Sequence, residues 1–275
     1  MSSIAGAGPA TEPAARRVVV GVSLKMYFGY EETLRWARRV AAIVSGTRPA
    51  EAGVDVFVLP SFPVLRQVVD VFEGTGVGVG AQDLHWEDAG AFTGEVSGQM
   101  LAELGCRWAC VGHAERRRLF GETDALVALK VDAAVRNGLC PIVCIGEDER
   151  SDTETAARAC RRQLALALSR TGGEDPAAPI VVAYEPVWAI GADAPASDDH
   201  IDAVCEELGR ALEAARPGGA NRVIYGGTAG PGLLKRLGDS VDGLFLGRRV
   251  HDPEAIKAVV DEAAGRSRAR FARRG

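Results

Sequence analysis

Eight short apolar, β-branched runs recur along this chain, and that rhythm constrains its fold more than any other feature. They fall at Val18–Ser23, Val54–Leu59, Val77–Gln82, Trp108–Gly112, Pro141–Gly146, Ile180–Glu185, Arg222–Gly226 and Val241–Gly247. Their length suits strands, and their lack of polar alternation predicts burial on both faces. Between them lie segments of helical character: Glu31–Val44, Ser97–Leu104, Thr123–Asn137, Ala156–Leu168, Asp198–Ala215 and Gly230–Leu237. Strands alternating with helices imply βαβ units and a parallel sheet. Eight such units without a linker predict an α/β protein with a single closed (β/α)₈ barrel. An open doubly wound sheet usually carries a Gly-rich first turn, and no G-x-G-x-x-G follows the first run.

Composition excludes several function classes. The 275 residues are 47% hydrophobic and 25% charged with a net charge of −5, which speaks against a general nucleic-acid binder. No apolar run approaches the ~20 residues that span a bilayer. Residues 1–15 are rich in Ala, Gly, Ser and Pro without an apolar signal core, and are expected to form a disordered leader. The barrel is expected over 16–264. The arginine-rich residues 265–275 are read as a frayed, solvated basic tail. The six cysteines lie mostly inside apolar runs with no Cys-x-x-Cys, so they predict buried thiols and a reducing, cytoplasmic location. The four histidines show no metal-ligand spacing, and no metal or cofactor is expected.

A barrel gathers its chemistry at the C-terminal ends of its strands. Those ends carry Lys25, then Gln82 and Asp83, then His113, Glu147, Glu185, Gly226-Gly227-Thr228 and Gly247. Glu185 is held at the end of a buried strand by Pro186, beside apolar residues that would desolvate it. A lone strand-end glutamate is most often a surface ion-pair partner, and a lone histidine a core residue. Lysine, histidine and glutamate on one rim instead make a set for moving protons beside developing negative charge. Gly191, the glycine-rich ends of the last two strands and a short helix start at Thr228 offer backbone N–H groups for a phosphate.

Longer motifs fill in this outline. Ala81-Gln82-Asp83-Leu84-His85-Trp86-Glu87-Asp88, Thr93-Gly94-Glu95-Val96-Ser97, Gly112-His113-Ala114-Glu115-Arg116-Arg117 and Phe120-Gly121-Glu122 resemble the triosephosphate isomerase family. So do Cys144-Ile145-Gly146-Glu147, Tyr184 to Gly191, Tyr225-Gly226-Gly227 and Asp242-Gly243, all in family order from about Gly21 to Gly247. The resemblance implies a TIM barrel and an aldose–ketose isomerase of glycolysis and gluconeogenesis. Glu185 would be the base, His113 a neutral electrophile, and Lys25 the cation that stabilises the enediolate. Glu115 would orient Lys25, and Cys144 would support the site. Ser23, Gly191, Gly226, Gly227, Thr228, Gly247 and Arg248 would hold the phosphorylated substrate. The loop from Pro186 to Ser197 would be a lid anchored by Trp188, and Thr93-Gly94-Glu95 would interlock a homodimer.

Departures from the family pattern bear on the substrate. Ser23-Leu24-Lys25 stands where the family usually has Asn-x-Lys, Gly191-Ala192-Asp193-Ala194-Pro195-Ala196 replaces a Gly-Thr-Gly-Lys-Thr-Ala lid, and Gly247-Arg248 replaces Gly-Gly. Three readings compete. The first, ranked ahead, interconverts dihydroxyacetone phosphate and glyceraldehyde 3-phosphate. The second acts on a four-carbon ketose phosphate such as erythrulose phosphate, with Ser23 leaving room for the extra hydroxymethyl group. The third is a non-catalytic phosphate-binding barrel, which would have no need of a base.

Overall fold

The alternation of each strand decides how the chain closes. In the computed structural model, which describes residues 16–171, 178–218 and 220–273, eight parallel strands form a closed barrel in chain order. They are β1 (Val18–Ser23), β2 (Val54–Leu59), β3 (Val77–Ala81), β4 (Trp108–Val111), β5 (Cys140–Ile145), β6 (Val181–Tyr184), β7 (Arg222–Tyr225) and β8 (Gly243–Leu246). The barrel closes where β8 pairs with β1 through Val19↔Gly243 and Gly21↔Phe245. This is the expected single-domain TIM barrel. The expected leader, residues 1–15, lies outside the described residues.

Helices pack around the barrel. They are α1 (Tyr30–Thr47), α2 (Leu65–Phe72), α3 (Gly98–Glu103), α4 (Ala114–Phe120), α5 (Asp124–Arg136), α6 (Thr153–Ala167), α7 (Asp198–Ala215) and α8 (Pro253–Ala272). Successive strand residues point to opposite faces, so each strand serves two cores. Val18, Val20 and Val22 pack outward against helices, while Val19 joins Phe57, Leu59, Cys110, Ile142, Cys144, Ala183 and Phe245 in the barrel interior. Large and small residues interlock there. Phe57 stacks on Trp108 with ring centroids 4.6 Å apart, and its partner in register is Gly21, where any Cβ would strike the Phe57 ring.

Two expectations are corrected. Residues 230–237 form turns, with Leu233, Leu234 and Leu237 still buried. Gly230, Pro231 and Gly232, the last at φ 87°, prevent a helix from starting. The basic tail also differs, because α8 continues through the expected boundary at 264 to Ala272. Its arginines satisfy the carbonyls that the missing β7–β8 helix leaves open. Arg266 donates to Leu234 O at 2.9 Å and Leu237 O at 2.8 Å, and Arg270 donates to Asp239 O at 2.8 Å. Arg270 also pairs with the buried Asp242 at 3.3 Å. No described helix is long and apolar enough to cross a membrane.

Candidate active site

The inward rows of the strands run on into the C-terminal rim. Val19, Gly21 and then Ser23 share one face of β1, and Val181, Ala183 and then Glu185 share one face of β6. They open into a cleft of about 570 Å³ lined by Ser23, Lys25, His113, Glu115, Glu185, Gly191, Gly226, Gly227, Thr228, Gly247 and Arg248. Of the site residues expected from sequence, only Cys144 is absent from this lining. Its Sγ lies 3.5 Å from that of Cys110 in the barrel interior, beside a smaller recess behind Glu185.

Glu185 is buried, and its Oε2 lies 3.6 Å from His113 Nε2 with no hydrogen-bond partner of its own. Burial raises its carboxyl above the ordinary carboxylate range, and the charge of Lys25 offsets this only in part. Glycine at 226 leaves the carboxylate its place, since a Cβ there would stand 2.5 Å from Glu185 Oε1 and 2.6 Å from Cγ.

His113 caps α4, where its Nδ1 accepts the Glu115 backbone N–H at 3.2 Å. An imidazole that accepts at Nδ1 is neutral and carries its hydrogen on Nε2, the nitrogen turned toward Glu185. Lys25 Nζ donates to Glu115 Oε1 at 2.7 Å. Burial works to raise the Glu115 carboxyl, but the Lys25 hydrogen bond and charge outweigh it and hold the group low. Lys25 also has φ 48°, a left-handed conformation costly for a residue with a Cβ. Its carbonyl is clamped by Ser61 Oγ at 3.0 Å and Gln82 Nε2 at 2.9 Å. Gln82 thus fixes the lysine's backbone.

Two other strand-end residues lie outside the cleft. Asp83 pairs with Lys130 at 2.7 Å and Arg116 at 2.7 Å in a buried ion cluster. Glu147 accepts Trp188 Nε1 at 2.8 Å and the Tyr184 hydroxyl at 3.2 Å, which ties down the start of the Pro186–Ser197 loop. The loop's far end is held where Ala196 N donates to Tyr225 OH at 3.2 Å. Where β7 and β8 end, no helix begins at Thr228, because Gly230-Pro231-Gly232 breaks the chain into turns. A single 3₁₀ turn, Arg248–Val250, follows Gly247 instead. The Thr228 hydroxyl lies 2.9 Å from the carbonyls of both Ala189 and Ala192. Asp193 of the altered loop also lines the cleft, as do Arg118 and Arg249, which were not singled out from sequence although Arg249 directly follows Arg248. Among the described residues no cluster of His, Cys, Asp and Glu could hold a metal ion.

Comparison with known proteins shows the family and the fold. The triosephosphate isomerase family model matches residues 18–263. An L-erythrulose-1-phosphate isomerase of Pectobacterium atrosepticum is 52% identical over 250 residues, covering 90% of this chain and 96% of the relative. Another of that name from Rhizobium etli is 42% identical over 266 residues, covering 92% and 97%. The crystal structure of triosephosphate isomerase from Bartonella henselae superposes with a TM-score of 0.77 at 27% identity, covering 90% of this chain and 98% of the other. The chain belongs to the triosephosphate isomerase family.

Proposed function

We propose that this chain isomerises L-erythrulose 1-phosphate by proton transfer through an enediolate. The observation that carries the reaction type is the buried Glu185 carboxylate 3.6 Å from the Nε2 of His113, in one cleft with Lys25. For the substrate, the relatives' names favour the four-carbon reading over the triose reading that the sequence ranked first. The short Ser23 side chain on the cleft wall fits that choice.

The chemistry follows from the substrate's carbon chain. C1 carries the phosphate ester, so it cannot become an aldehyde carbon without losing that ester. The available shift lies between the C2 carbonyl and the C3 carbinol. Glu185 removes the C3 proton and leaves a C2–C3 enediolate. The His113 Nε2–H donates to the oxygen where charge gathers, and the Lys25 ammonium stabilises that charge and the phosphate. Glu185 returns a proton to C2 as the O3 proton passes to O2. The carbonyl ends at C3, so the product is a ketotetrose 4-phosphate and the reaction runs from ketose to ketose. The glycines at 191, 226, 227 and 247, with Thr228 and Arg248, would hold the phosphate. Retention of a desolvated base speaks against a mere binding barrel.

The test is NMR of L-erythrulose 1-phosphate in D₂O with the enzyme. Carbonyl migration with deuterium entering at C2 or C3 is expected, and Glu185→Gln should slow it by about 10³-fold. No carbonyl migration with the wild type would refute the reading. The same reading includes a cytoplasmic homodimer. Its support is six buried free cysteines, together with exposed Met26, Phe62 and Phe92 on loops after three adjacent strands. Light scattering should give twice the chain mass, and dilution or Thr93→Arg should shift it toward the monomer.

A further inference from the structure

The middle of the Pro186–Ser197 loop is held differently from its ends. Thr228 reaches it from the β7 side, and Arg249 reaches it from the β8 side. Arg249 Nη2 donates to Asp193 O at 3.0 Å. The stem of Arg249 lies against Gly230, where a Cβ would come within 3.0 Å of Arg249 Cδ, so the glycine leaves the side chain its path. Arg249 and Asp193 line the cleft together with Gly191 and Arg248, two of the residues expected to hold the phosphate.

Charge gives this contact a purpose. Asp193 brings a carboxylate to a loop that must close over a phosphate dianion, and a cation bonded to the carbonyl of the same residue offsets that repulsion. Pro195 lacks an N–H, so this stretch has one donor fewer for the phosphate. A guanidinium can donate to a carbonyl and an anion at once because its N–H groups form a planar fork.

We propose that Arg249 is a phosphate-operated latch, a positioning residue that holds the Pro186–Ser197 loop across the cleft when an anion occupies the phosphate site. The proposal rests on the phosphorylated substrate argued above. In the open cleft Arg249 keeps the loop near; with phosphate present it bridges Asp193 O and the anion.

Trp188 lies in the loop and reports on it, and Trp188→Phe supplies the background of Trp36, Trp86 and Trp108 to be subtracted. Inorganic phosphate titrated into wild type should change Trp188 fluorescence, and Arg249→Gln should abolish that change and weaken phosphate binding about ten- to a hundredfold. Arg249→Lys should restore phosphate affinity in part but not the full fluorescence change, since an ammonium lacks the fork. kcat/KM for L-erythrulose 1-phosphate should fall by the same factor in Arg249→Gln. An unchanged fluorescence response in Arg249→Gln at saturating phosphate would overturn the latch and leave a plain anion contact. Absence of any response in wild type would also overturn it. The fluorescence arm needs no substrate, so failure of wild type to turn over L-erythrulose 1-phosphate would count against the proposed reaction alone.

Discussion

Gly226→Ala separates the position of the base from the stability of the fold. The added Cβ would stand 2.5 Å from Glu185 Oε1, whereas ordinary contact begins at 3.4 Å, so the carboxylate must retreat by about 0.9 Å (3.4 less 2.5). The obstructing atoms belong to a side chain that can turn, and Gly226 does not occupy the left-handed region, so the backbone need not yield. Stability should therefore change by no more than about 1 kcal/mol. A base displaced by about 1 Å from its attack geometry costs on the order of 10²-fold in rate. Steady-state kinetics on L-erythrulose 1-phosphate, with urea unfolding of the same preparation, should show kcat down about a hundredfold and an unchanged unfolding midpoint. Gly146→Ala is the contrasting control, because its Cβ would collide with the Glu185 backbone carbonyl and should destabilise the fold. Turnover by Gly226→Ala within threefold of wild type would refute the idea that carboxylate placement limits the rate.

Other substitutions probe other links. Ser23→Asn should lower kcat/KM for L-erythrulose 1-phosphate by about 10- to 200-fold while sparing dihydroxyacetone phosphate, read from the ratio of the two on one preparation. Lys130 Nζ lies 2.7 Å from Asp83 Oδ1 and 2.5 Å from Glu122 Oε1, so Lys130→Met leaves Arg116 alone to serve two buried carboxylates and should cost about 3–5 kcal/mol by urea unfolding. Because burial raises the Glu185 carboxyl, its contribution to stability is full below the ordinary carboxylate range and is lost as pH climbs through the raised value. Glu185→Gln should therefore unfold at a higher temperature than wild type at neutral pH, with the gap closing in acid; a constant gap across that range would show that Glu185 ionises freely in the folded state.

The barrel was legible because each parallel strand, buried on both faces, must be written in β-branched residues, as Val18 to Val22 and Val54 to Leu59 are. Glu185 stood out because it ends such a strand just before Pro186, with Lys25 and His113 at other strand ends, whereas Ser23 drew notice only through the family resemblance. What escaped depends on contacts across loops. Arg266 and Arg270 read as a solvated end because nothing local reveals the carbonyls of the β7–β8 turns that they satisfy. Asp83 and Glu147 end their strands as Glu185 does, but distant partners, Lys130 and Trp188, draw them away from the cleft. Arg249 escaped because its partner Asp193 lies 56 positions away.

Substrate choice is tested most directly by kcat/KM for L-erythrulose 1-phosphate and for dihydroxyacetone phosphate, measured on one preparation of wild-type enzyme. A preference for the four-carbon sugar of about tenfold or more is expected, at the scale of one extra group fitted in a pocket. A clear preference for the triose phosphate would contradict the assignment and restore the three-carbon reaction.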